Sequence, residues 1–147
     1  MTSIDFHFNT SDRIAYACRL SRKILKAGQA HPETPLAVFC SNRERLDAFD
    51  DALWSLWPDE FIPHAHIELP EAQEAPIVLL DADVRLPSHA LLLNLDDAPP
   101  PFFSRFSRLF EVVSTDEDDR ARARERFIFY RDRGYPIQRF DLSKTST

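Results

Sequence analysis

Three groups of residues could do chemistry. His64 and His66 stand two apart beside Pro63, a spacing that on a strand turns both imidazoles to one face, where they could share a metal ion. No cysteine or clustered carboxylate completes a ligand set nearby, so the same pair also reads as two imidazoles in a polar loop. Asp50-Asp51, Asp81 with Asp83, and Asp96-Asp97 are acidic pairs from which folding could assemble a magnesium site. Asp81 and Asp83 weigh most, because they follow an apolar run and open α/β sheets hold ligands beyond strand carboxyl ends. With His64 they define an enzymatic reading, a metal-dependent hydrolase or nucleotide-modifying domain. Cys18 on a helical apolar stripe and Cys40 at the end of a strand-like run sit in no Cys-x-x-Cys and near no histidine, which predicts buried free thiols.

The third group is cationic. Asp116-Glu117-Asp118-Asp119 is followed at once by Arg120, Arg122, Arg124, Arg126, Arg131 and Arg133. The chain as a whole carries a net charge of −6, which disfavours a domain whose main task is holding nucleic-acid phosphates. An acidic chain that gathers arginines on one segment can present them to an anion. Arg120, Arg124, Phe127, Ile128 and Arg131 fall on one helical face, while Ala123, Tyr130 and Phe129 can pack on a sheet. Arginines around apolar surface suit an acidic peptide with an apolar end, but periodicity alone favours a solvated face paired with Glu117, Asp118 and Glu125.

Phosphate loops need glycines, so that backbone N–H groups approach without a Cβ in the way. The chain has 2 glycines, and both Gly28 and Gly134 fall where helices stop. No GxGxxG, GxxxxGK[ST] or GxSxG occurs, which argues against a dinucleotide site, a P-loop and a serine hydrolase.

The elements that must position these groups alternate. Ile4–Phe8 alternates like a strand, and Thr10, Ser11 or Asp12 can cap a helix with apolar positions Ile14, Ala17, Cys18, Ile24 and Leu25. Pro35–Cys40 reads as a strand buried on both faces, and Ser41 or Asn42 caps a helix through Leu46, Phe49, Leu53 and Trp57 that Pro58 ends. Asp59–His66 reads as a loop, Pro76–Leu80 and Ala90–Leu95 as buried strands, Phe102–Arg108 as a short helix and Phe110–Val113 as a strand. A long helix spans Asp116–Arg133, acidic at its start and basic later as the helix dipole favours, before an edge strand over Tyr135–Leu142. This order predicts one α/β domain over residues 1–142, an open, mostly parallel sheet with helices on both faces and no nucleotide-binding loop, then a flexible tail, 143–147. No signal peptide and no run of about eighteen apolar residues is present, so the expectation is a cytoplasmic protein without a membrane span.

Two segments carry a resemblance. A Leu53-Trp54 pair near the end of the second helix is followed by Phe61-Ile62-Pro63-His64. Ala123-Arg124-Glu125-Arg126-Phe127 opens a run that includes Tyr130, Arg131, Gly134 and Tyr135. In order, spacing and total length these look like the signature of the DNA polymerase III chi family, over nearly the whole chain. The resemblance implies a Rossmann-like fold, no catalytic role, no cofactor and contact with DNA only through partners. It implies two binding surfaces. One takes the acidic, Pro-Phe-ended C-terminal tail of single-stranded DNA-binding protein, using Trp54, Arg124, Phe127 and Ile128, with Arg120 and Arg131 flanking. The other takes the psi subunit of the clamp loader, using Phe61, Ile62, Pro63 and His64. Three features depart from the pattern. Phe127-Ile128 stands where a Tyr-Lys pair is frequent, which makes the pocket greasier and removes a cation. The stretch Val113–Asp119 is short, and the loop at His31–Thr34 contains Pro32 and is followed by Pro35. The shared pocket requires Trp54 and the helix around Arg124 to meet in space.

Overall fold

A computed structural model describes residues 1–144. Strand β1 (Ser3–Thr10) leads into helix α1 (Arg13–Lys26), whose N-terminus is capped by Asp12 accepting from the Ala15 N–H. Strand β2 (Leu36–Phe39) leads into α2 (Arg43–Ser55), capped by Asn42. Strand β3 is short, His64–His66, and β4 (Ile77–Leu80) and β5 (Leu91–Asn94) are buried throughout. Strand β6 (Arg108–Ser114) leads into α3 (Glu117–Asp132), capped by Asp116, and β7 (Ile137–Asp141) closes the series. Gly28 and Gly134 take positive φ, 74° and 80°, just past α1 and α3, the left-handed turn that glycine supplies without strain.

The seven strands form one sheet in the order β3-β4-β2-β5-β6-β1-β7. Every pairing is parallel. Side-chain alternation sorts the core into two layers. Leu36, Val38, Ile77, Leu79, Leu91, Leu93, Phe110 and Val112 face α1 and α2. Ile4, Phe6, Ala37, Phe39, Val78, Leu80, Leu92, Leu109 and Val113 face α3 and a cluster of Phe102, Phe103 and Phe106. The expected α/β class, with helices on both faces, is what folds.

Three local expectations change. The segment read as a loop over Asp59–His66 ends in β3, an edge strand too short for hydropathy to announce. The short helix expected over Phe102–Arg108 shrinks to one 3₁₀ turn, Phe103–Arg105, because Arg108 already pairs with Ser3 and Leu91 in β6. Within the expected tail, Ser143 and Lys144 belong to a final 3₁₀ turn held by Ser143 Oγ donating to Asp141 at 2.6 Å; residues 145–147 lie outside the described residues. Pro32 and Pro35 sit in a tight loop closed by reciprocal hydrogen bonds between His31 and Thr34.

Candidate functional site

Helix α1 leaves β1 on one face and α3 leaves neighbouring β6 on the other, so the carboxyl ends of β1 and β6 border the crevice where such sheets hold ligands. Here a side chain fills it. Arg13, the first residue of α1, donates from Nε to the Val112 carbonyl at 2.8 Å and from Nη2 to the Asp96 carbonyl at 2.9 Å. Its Nη1 lies 3.7 Å from Asp119 and 3.9 Å from Asp97. A guanidinium thus sits where a phosphate would rest, which adds a steric reason to the missing glycine loop.

Helix α3 is fixed by a charged core. Arg126 is 1% exposed and donates from Nε to Glu111 Oε1 at 3.0 Å and from Nη1 to the Asp97 carbonyl at 3.0 Å. Glu111 Oε2 accepts from the Tyr130 hydroxyl at 2.7 Å and from Asn94 Nδ2 at 3.0 Å. Burial and the neighbouring Glu111 carboxylate push the Tyr130 phenol far above its ordinary range, so it remains a donor. Arg122 reaches Asp97 at 3.2 Å and Arg131 pairs with Asp132 at 3.0 Å. The arginines expected to act together therefore split, with Arg126 as a core residue and Arg122 and Arg131 already engaged.

The remaining face of α3 borders a notch of about 240 Å³ against β1 and β7. Phe6, Phe8, Val113, Ala123 and Phe127 give it an apolar lining. The Phe6 ring meets the edges of Phe127 and Tyr130 at 5.5 and 6.0 Å, which holds the floor in place. Arg120, Arg124 and Arg139 line its rim, with Asn9, whose φ of 72° and hydrogen bond to Asp141 at 2.8 Å turn the end of β1. Among the described residues none of these three guanidinium groups has a carboxylate partner, whereas Arg22 is held by Glu60, Arg45 by Asp97 and Arg105 by Asp83. A broader groove walled by Pro32, Pro35, Pro70 and Pro87 offers Arg85 against Glu33 and Glu68, a charge balance that does not suit an anionic ligand.

Trp54 lies elsewhere. It belongs to α2, on the opposite sheet face from α3 and beside β3, at the far edge from β7. Its ring is 4.8 Å from His64 and 5.7 Å from Phe61. The expected meeting of Trp54 with Arg124, Phe127 and Ile128 is therefore corrected: the structure brings Arg120, Arg124 and Phe127 together, leaves Ile128 exposed beside the notch without lining it, and separates Trp54 altogether. Trp54 and Phe61, 52% and 70% exposed, form a second apolar patch.

Two members of the expected loop surface also change role. Ile62 is buried in the layer under α1 and α2. His64 is buried too, with Nδ1 2.6 Å from the Ile62 carbonyl and Nε2 2.7 Å from Asp50, so it pins the loop to α2 instead of facing a partner. Phe61 projects, with Pro63 partly covered behind it.

The enzymatic constellation is not assembled. Asp81 bonds Arg43 at 3.1 Å, Asp83 bonds Arg105 at 2.7 Å and His64 bonds Asp50. His66 is the histidine near Asp81, at 3.8 Å from its Nε2, with Glu68 beside Nδ1. His66 Nδ1 accepts the Glu68 N–H at 3.2 Å, which in the neutral ring places the proton on Nε2, the nitrogen facing Asp81. Both thiols are inert by environment: burial pushes Cys18 up to about 12 and raises Cys40.

The profile of the family described as "DNA polymerase III chi subunit, HolC" matches residues 1–138. The chain is 34% identical over 142 residues to a protein of Pseudomonas aeruginosa named DNA polymerase III subunit chi, covering 94% of this chain and 95% of that one. A protein of the same name from Haemophilus influenzae is 28% identical over 122 residues, covering 82% of this chain and 81% of its own length.

Proposed function

We propose that this chain, which belongs to the DNA polymerase III chi subunit family, works as a non-catalytic adaptor in the cytoplasmic replication machinery. It joins the acidic C-terminal tail of single-stranded DNA-binding protein to the psi subunit of the clamp loader. The observation that carries this reading is the α3 notch, an apolar floor of phenylalanines under three arginines that no carboxylate among the described residues neutralises. A terminal Phe buried there contributes roughly 2–3 kcal/mol, and charge-assisted bonds to the tail carboxylates about 1.5–3 kcal/mol each where sheltered. Association and peptide ordering offset several of these, leaving a dissociation constant around micromolar. The psi surface is the Trp54–Phe61 patch, at the other edge of the sheet.

A fluorescein-labelled acidic peptide ending in Pro-Phe, titrated by anisotropy, tests this. Arg124→Glu is expected to weaken binding at least tenfold, removal of the peptide's final Phe by a similar factor, and added salt to weaken the wild-type complex. Wild-type affinity in Arg124→Glu would rule the notch out. Phe61→Ala is expected to disrupt a psi complex while sparing the peptide.

A further inference from the structure

Helix α3 gives the notch two cations, Arg120 and Arg124, and a third comes from a different element. Arg139 lies on edge strand β7, in register with Phe6 of β1, whose ring forms the notch floor. Its guanidinium is 5.7 Å from the centre of the Phe127 ring, close enough for the cation to rest on the same aromatic that the apolar end of a ligand would touch. It has no carboxylate partner among the described residues, and neither do Arg120 and Arg124 on the opposite wall. The rim is thus built from two sides, two arginines from α3 and one from β7, about an apolar floor from β1 and β6.

We propose that Arg139 is a ligand-binding residue of this site, adding from β7 a third cation to the two that α3 supplies. This rests on the reading of the notch as an acidic-peptide site. A peptide with a buried aromatic end is then held between the α3 arginines and Arg139, its carboxylates facing cations on both walls. Selection of acidic ligands becomes a property of the α3–β7 groove and not of the helix alone.

The same anisotropy titration, on the full chain with the Pro-Phe-ended acidic peptide, separates this claim from the one beneath it. Arg139→Gln is expected to weaken binding about tenfold, equivalent to about 1.4 kcal/mol, and to flatten its salt dependence. Arg139→Lys retains most of the affinity, since it keeps the charge, and Ile128→Lys placed in the Arg139→Gln background recovers part of the loss. Arg139 is exposed on an edge strand, so far-UV circular dichroism and melting temperature should match wild type in all of them. Wild-type affinity in Arg139→Gln, with binding still lost in Arg124→Glu, would overturn the role of Arg139 and leave the notch standing. Failure of the wild-type chain to bind the peptide would overturn both.

Discussion

Replacing Arg126 by Met tests whether the charged core sets the placement of α3. The substitution keeps the side-chain length but strips the cation from Glu111, which is wholly buried. Glu111 then retains the Tyr130 and Asn94 donors and loses its ionic partner Arg126. Breaking a buried pair from one side costs about 3–5 kcal/mol, because an uncompensated charge is left behind. For a domain of this size that corresponds to a fall of roughly 10 °C in melting temperature. Urea unfolding followed by far-UV circular dichroism and by tryptophan fluorescence measures it. Adding Glu111→Gln removes the stranded charge while leaving an acceptor for Tyr130, and should recover about 2 kcal/mol. Peptide affinity should fall in Arg126→Met and return partly in the double variant, although neither residue lines the notch. A loss under about 1 kcal/mol for Arg126→Met, or a double variant less stable than the single one, would refute the argument.

Three further outcomes follow from individual contacts. Trp54→Ala is expected to leave acidic-peptide affinity within twofold of wild type and to weaken a psi complex, measured by co-elution in size exclusion. Burial holds the His7 imidazole down at about 4, so between pH 6.5 and 4 the unfolded chain takes up a proton that the folded one refuses. Stability is therefore lost as pH falls through that window, and His7→Phe should lower the acid sensitivity by about 2 kcal/mol in paired urea titrations at pH 7 and pH 4.5, after discounting the full linkage for partial solvent access. Cys18 and Cys40 should resist a thiol reagent in the native state and both react in denaturant, in a timed absorbance assay.

Much of the fold is legible in hydropathy because the strands are of two plain kinds. β2, β4 and Leu91–Leu93 of β5 are unbroken apolar runs, Ile4–Phe8 of β1 alternates apolar with polar, and Asp12, Asn42 and Asp116 announce the helices. On the inner face of α3, Ala123 and Tyr130 are legible as sheet-packing positions, but the other two buried positions, Asp119 and Arg126, are charged and read as solvated. The one available signal was spacing, since these four recur at helical intervals. The notch was half legible. Arg120, Arg124 and Phe127 share a helix and can be read together, but Phe6, Phe8 and Arg139 join them only because β1 sits between β6 and β7. Strand order is not encoded in local periodicity. The same gap explains Trp54: motif residues that travel together in sequence belong to two surfaces when the sheet comes between them.

That interposed sheet has a mechanical consequence. With strands about 4.8 Å apart, β3 and β7 lie about 29 Å from each other across the full width of the molecule. Partners seated at the two margins would not collide, and a pull on one would pass to the other through a ladder of backbone hydrogen bonds. The domain would behave as a stiff coupling link, each end free to detach and rebind without loosening the other.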